Sequence, residues 1–225
     1  MTTRNRSALL AGASGLVGNE LLQLLLDSSV YEHVTILVRK PLDIQHPKLE
    51  QVIVDYEKLE NYTSHFKVQD IFCCLGTTIK QAGSQKAFRK VDYEYPVRMA
   101  KLAKAQGVRH FLIITALGAD AKSKVFYSRT KGEVEVALKQ MDLPALAIFQ
   151  PSLLLGNRQE FRFGEKAATV LSPLFSALLV GRMKKYEPVS AKKVAFAMLY
   201  AAQTNRTGTT FYPSAEIQKI SRTVQ

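Results

Sequence analysis

Gly12-Ala13-Ser14-Gly15-Leu16-Val17-Gly18 is the stretch that decides the fold. It closes the apolar run Ala8–Ala13 and opens onto Leu21, Leu22, Leu24 and Leu25, which recur at helical spacing. A buried strand, a glycine turn and an amphipathic helix follow one another without a gap. Glycines allow the tight turn and let backbone N–H groups approach a pyrophosphate, which then meets the positive end of the helix. The spacing is GxxGxxG rather than the commoner GxGxxG, and ordinary tight turns also use glycine. The strand–turn–helix setting is what turns this triplet into a dinucleotide-binding expectation. Gly12, Ser14, Gly15, Leu16, Val17 and Gly18 are the residues it assigns to the phosphates.

The next strand bears on which dinucleotide. An NAD site usually carries Asp or Glu at the end of this strand, to bond the ribose 2′-hydroxyl. Here Val34–Val38 runs into Arg39-Lys40, about 20 residues beyond the turn. Two cations there suit a 2′-phosphate, Arg in bidentate fashion. The plainer alternative is a pair of solvated bases before Pro41. NADP(H) is the expected cofactor.

Outward from these two strands, apolar runs alternate with helix-period segments. Further strands are expected at Gln51–Val54, Ile71–Cys74, Phe111–Thr115, Leu146–Phe149 and Thr209–Tyr212. Helices are expected at Leu16–Asp27, Leu59–Phe66, Ala87–Gln106, Ser128–Gln140 and Ala191–Gln203. Strands separated by helices imply βαβ crossovers, so the fold class is α/β, a Rossmann-type doubly wound parallel sheet. Pro96 should kink or restart the long helix, and Gly107 should stop it. One domain over 1–225 is expected, with a cofactor-binding core at 1–150. Residues 151–225 read as a small C-terminal substrate-lid subregion that ends in a polar tail.

Composition narrows the classes. The chain has 225 residues, 47% apolar and 22% charged, which suits one α/β core. Its longest late apolar stretch, Ala167–Gly181, is interrupted by Pro173 and is no convincing membrane span. The cysteines are the adjacent pair Cys73 and Cys74. Strand neighbours point to opposite faces, so they read as core packing in a reducing compartment, taken as the cytoplasm. The net charge of +12 attracts anions. Its bases are scattered and carry no aromatic-basic stripe, so nucleic acid is not an expected ligand. His33, His46, His65 and His110 lack metal-ligand spacing, and no zinc site is expected.

Tyr127-Ser128-Arg129-Thr130-Lys131 offers Tyr-x-x-x-Lys just after the fifth strand, where strand ends face a nicotinamide. Four residues apart on a helix, the two side chains share a face. The tyrosine can exchange a proton with a carbonyl or hydroxyl while the lysine's charge supports the phenolate form. The spacing alone is common, and an ordinary amphipathic helix start would also produce it.

Taken together, Gly12–Gly18, Val54-Asp55-Tyr56-Glu57-Lys58-Leu59, Phe72-Cys73-Cys74-Leu75-Gly76-Thr77-Thr78, Tyr127 with Lys131-Gly132-Glu133-Val134-Glu135, and Arg158-Gln159-Glu160 resemble the Tat-interacting-protein oxidoreductase family. These are atypical short-chain dehydrogenase/reductases. The resemblance runs from about Ser7 to Glu165. It implies NADPH held by Ser14, Gly15 and the residues following, by Arg39 and Lys40, and by Leu75, Gly76 and Thr77. It implies Tyr127 as proton acceptor and Lys131 on the ribose. It places Leu154 and Arg162 over the nicotinamide and phosphate side, and Asp55 and Tyr56 beside the adenine. The chain departs from the family at Thr115-Ala116, where two serines are usual. Thr115 is the expected donor to the substrate oxygen. If Ala116 holds the working position, catalysis is in doubt and cofactor binding is untouched.

Two functions follow as expectations. One is hydride transfer between NADPH and a small carbonyl or alcohol. The other is an NADP(H)-sensing module acting on a protein partner, with little or no catalysis. Arg158, Glu160 and Arg162 could reach a cofactor phosphate or pair with one another. Val170–Val180 reads as core packing, a pocket wall or a dimer contact. Neither substrate nor oligomeric state is written in a recognisable pattern.

Overall fold

The computed structural model describes residues 5–155 and 187–223. The first half runs β1 (Arg6–Ala11), α1 (Leu16–Asp27), β2 (Tyr31–Val38), β3 (Leu49–Ile53), a 3-10 segment (Tyr56–Phe66) and β4 (Asp70–Cys73). Then come α2 (Ile79–Ala82), α3 (Gln85–Arg89), a π-helical turn (Lys90–Glu94), α4 (Tyr95–Ala105), β5 (His110–Ile114), α5 (Phe126–Lys139) and β6 (Ala145–Gln150). The remainder is β7 (Leu154–Leu155), β8 (Val189–Ser190), α6 (Ala191–Ala202), β9 (Gly208–Pro213) and α7 (Ser214–Thr223).

Seven strands form one sheet in the order β3-β2-β1-β4-β5-β6-β9. Every pairing in it is parallel. This is the doubly wound Rossmann-type sheet that the alternating pattern predicts. Strand alternation explains why the runs are apolar throughout. Ala8 and Leu10 enter one core layer with α1 and α6, while Leu9 and Ala11 enter the other with α4, α5 and the 3-10 segment. The chain's strand order reverses between β1 and β4, and ligands of such sheets bind beyond the strand ends at that point.

Several expectations need correction. The first strand stops at Ala11, two residues early, because Gly12 takes φ +87° and leaves the extended line. The helix read over Ala87–Gln106 runs without a break from Gln85 to Ala105, with a π turn inserted directly before Pro96 in the first turn of α4. Leu59–Phe66 is 3-10 rather than α, with non-helical backbone at Lys58 and Tyr62. Gly107 does follow the end of α4, at φ +68°. The described residues after 151 join the main sheet and its core. β9 pairs with β6 as the sheet's last strand, Tyr212 stacks on Phe149 at 4.6 Å, and α6 lies in the same core layer as α1. The expected polar tail is α7, whose Ile217 and Ile220 are buried.

Candidate functional site

Three segments distant in sequence meet at the carboxyl ends of the strands. The first is the turn after β1. Gly15 N–H donates to Gly12 O at 2.9 Å, and Asn19 N–H to Gly15 O at 2.9 Å, which starts α1. A side chain at Gly12 would come within 2.5 Å of the Cys74 carbonyl, and one at Gly18 within 2.0 Å of the Gly12 carbonyl. Both positions therefore exclude every larger residue. Gly15 caps α1 without a side chain, so the helix's first amides face outward as backbone. Val17 is buried and Leu16 packs against the core. Their part in any phosphate site is played by the main chain.

The second segment is the turn after β4. Cys74 N–H donates to Ala11 O at 2.9 Å and so holds Leu75-Gly76-Thr77 against the glycine turn. Cys73 is wholly buried, and burial pushes its thiol up to about 12, with the Leu75 amide opposing. Burial, and then the neighbouring Cys73, raise the Cys74 thiol as well, and its Sγ lies 4.0 Å from Met198 Sδ. Both are core groups, as their adjacency suggests.

The third segment is the start of α5. Gly132 lets the preceding loop press onto the helix, since a Cβ there would be 2.1 Å from Ala121 N. Tyr127 is half-buried with its ring 5.7 Å from Phe88. Lys131 is buried on the same helix, and its Nζ is 2.6 Å from Asp92 Oδ1. Asp92 Oδ2 accepts the Thr77 amide at 3.0 Å. A Cβ on Gly76 would sit 3.9 Å from Lys131 Nζ and 3.5 Å from Asp92 Oδ1, so its absence leaves a cradle beside the lysine.

The remaining expected residues fall as follows. Arg39 and Lys40 are exposed at the end of β2. Asp55 is exposed and caps the 3-10 segment by accepting the Glu57 amide at 3.0 Å. Tyr56 is 7% exposed, donates to Leu37 O at 3.0 Å and stacks on Tyr95. Burial pushes its phenol well up; Cys73 adds to this, and Arg39 acts against it. Leu154 packs against the core in β7. Arg158, Glu160, Arg162 and Val170–Val180 lie outside the described residues.

Thr115 does not present its hydroxyl as expected. It is buried and donates to Glu135 Oε1 at 2.5 Å, with Phe149 O at 3.3 Å. Gln150 Nε2 also reaches both Glu135 oxygens, at 3.0 and 3.1 Å. Burial raises the Glu135 carboxyl, against hydrogen bonds from Thr115 and Gln150 and the charge of Lys131. Asp92 and Glu135 escaped the sequence reading. The signal was there: Asp92 follows Phe88 at i+4 and Glu135 follows Lys131 at i+4, each a carboxylate on a buried stripe. Among the described residues, no group of three or more His, Cys, Asp or Glu could hold a metal, and no helix is long and apolar enough to cross a membrane.

Comparison with known proteins shows the family. The profile of a family described as NAD(P)H-binding matches residues 12–172. Protein HTATIP2 of Rattus norvegicus is 39% identical over 166 residues, covering 72% of this chain and 68% of that one. The mitochondrial protein FMP52 of Debaryomyces hansenii is 30% identical over 200 residues, covering 87% of each. Among solved structures, MoeE5 in complex with UDP-glucose and NAD superposes with a TM-score of 0.68. That match covers 97% of this chain and 82% of the other at 12% identity, a likeness of fold. These relatives overturn one expectation. FMP52 proteins are named mitochondrial, which points away from the cytoplasm. Two adjacent cysteines without a disulfide do not distinguish one compartment from another.

Proposed function

The chain belongs to the NAD(P)H-binding family as an atypical short-chain dehydrogenase/reductase, and from that premise we propose that it is an NADP(H)-dependent oxidoreductase acting on a small carbonyl or alcohol. The observation that carries the reading is the meeting of the Gly12–Gly18 turn, the Leu75–Thr77 turn and Lys131 around the Gly76 cradle. A coenzyme bound there would supply or accept the hydride. The amides of Ser14, Gly15, Leu16 and Val17 would hold the pyrophosphate at the start of α1. Arg39 and Lys40, both exposed at the β2 end with no carboxylate beside them in sequence, favour a 2′-phosphate and hence NADP(H). Leu75, Gly76 and Thr77 would border the nicotinamide ribose, and Lys131 would donate to it. Tyr127 would pass its proton to the substrate oxygen in reduction and take it back in oxidation. Asp55 and Leu154 would border the two ends of the coenzyme.

A second reading rests on Thr115. Its hydroxyl is held by Glu135, and Ala116 has none to offer, so polarisation of a substrate oxygen lacks its usual donor. An NADP(H)-sensing protein with little chemistry, signalling to a protein partner, fits that observation. Titration with NADPH and NADH, followed by an aldehyde and ketone panel on wild type and Tyr127→Phe, separates the two. The enzyme reading expects NADPH binding tighter than NADH, and turnover that the variant loses. Equal turnover by the variant removes the mechanism, and tight binding with no turnover favours the sensor.

A further inference from the structure

Asp92 has no part in the roles assigned above, yet its carboxylate is fully buried and touches two of the three converging segments. Oδ1 meets the Lys131 ammonium at 2.6 Å, and Oδ2 takes the Thr77 amide at 3.0 Å. Its backbone lies in the π-helical turn between α3 and α4. One residue more per turn shifts the side-chain register there, and such turns concentrate at functional sites. The turn thus brings a charged group onto a face where Phe88 and Pro96, four residues to either side, are apolar and buried.

We propose that Asp92 is a positioning residue for the coenzyme site: it ties Lys131 to the Thr77 turn, holding the ammonium charged and aimed at the Gly76 cradle. This rests on the coenzyme reading above. Lys131 has a side chain only 6% exposed, and Asp92 is 0% exposed. A buried ammonium without a counter-ion gives up its proton readily, because burial penalises the charged form. The other charges near Lys131 do not replace Asp92. Glu135, one turn along α5, has its carboxyl raised by burial and is occupied by Thr115 and Gln150. Cys73 on β4 is a buried thiol held neutral. On the π turn and α4, Lys90 is bound to Glu57, Arg98 to the Glu57 carbonyl and Lys104 to the Met141 carbonyl. On α5 itself, Glu133 is held by Arg89 of α3, with Arg129 4.0 Å away across one turn.

The test has one readout without coenzyme and one with it. In the apo protein with ¹³C-labelled lysine, the Lys131 Cε signal is assigned by its loss in Lys131→Met, then followed with pH in wild type and Asp92→Asn. The expected result is a titration midpoint at least one unit lower in Asp92→Asn, a tenfold change in proton affinity. With coenzyme, wild-type NADPH affinity should stay level between about pH 6 and pH 9. Asp92→Asn should lose about tenfold across the alkaline half of that range. Lys131→Met and the double variant should match each other at every pH. A Lys131 signal that titrates alike in wild type and Asp92→Asn overturns the proposal and reduces the pair to a fold contact. So does an unchanged pH profile of NADPH binding accompanied only by a lower Tm. If Asp92→Asn does not fold, Asp92→Glu, which keeps the charge, is compared with Lys131→Met by the same two readouts. Level binding in Asp92→Glu then supports the assignment, and an alkaline loss there overturns it. Should wild type bind no NADPH while the lysine signal shifts as expected, the coenzyme reading fails and the Asp92–Lys131 coupling stands.

Discussion

At the amino-terminal ends of the strands, Asp70 is enclosed by the first residues of three other strands. Tyr31 Oη donates to it at 2.8 Å, His110 Nδ1 lies at 2.6 Å, and Arg6 Nη1 at 3.5 Å while also donating to Ala202 O. At the carboxyl ends, the corresponding ground is held by glycines. Gly12 and Gly18 let the main chain of the turns pack closely, Gly76 leaves a cradle, and the buried carboxylate there, Asp92, grips a lysine beside it. Both regions bury charge. In the first, the four groups come from β1, β2, β4 and β5 and lock the strands' register. In the second, the groups come from turns and a helix and surround a space. The same chemistry is closed on itself at one end of the sheet and left open at the other.

That contrast can be broken by substitution. Tyr127→Phe should lower turnover about 100- to 10 000-fold, the usual span for a lost general acid–base group. NADPH affinity and Tm should stay near wild type, as the ring contact with Phe88 is kept. Asp70→Ala should do the reverse: Tm and denaturation midpoint fall by the equivalent of about 3–5 kcal/mol, since Arg6, His110 and Tyr31 lose their buried partner. NADPH affinity of the folded fraction should be unchanged. If Asp70→Ala weakens NADPH binding in proportion, the two ends are not independent. Arg39→Ala sharpens the open end alone, with NADPH binding weaker by about tenfold, roughly 1.4 kcal/mol. NADH binding and Tm should not move, because Arg39 is exposed. Equal losses for both coenzymes would remove the 2′-phosphate assignment.

The smallest effect concerns Glu135. Burial raises its carboxyl in the folded chain, so the folded state keeps this proton to higher pH than the unfolded state does. Stability from this group is therefore greatest below the ordinary glutamate range. It declines as pH rises from about 4.3 through the raised folded value. Thermal melts across that interval should show a shallower decline in Glu135→Gln than in wild type. Parallel curves would show that the Thr115 and Gln150 hydrogen bonds cancel the burial penalty.

The sheet was legible because each central strand is buried on both faces and is written as an unbroken apolar run. The glycine turn was legible because backbone approach admits no other residue. What escaped reading depended on partners remote in sequence. The π turn has no composition of its own; Lys90–Glu94 reads as ordinary helix, and only Pro96 just beyond it hints at a change. α7 carries two buried isoleucines among ten mostly polar residues, so it passes for a tail until β9 gives it a sheet to lie on. Thr115 looked available because a sequence shows a hydroxyl and not its acceptor, which is Glu135 twenty residues on.

The last strand of the sheet is added late. β6 ends at Gln150, yet its outer neighbour begins only at Gly208, so during synthesis β6 emerges long before the strand that covers it. Until then its row of unpaired amides and carbonyls is a template for another nascent chain. A polypeptide truncated ahead of Gly208 would keep every residue of the glycine turn and still be expected to self-associate, leaving the carboxyl-terminal strand and helix as the chain's guard against aggregation.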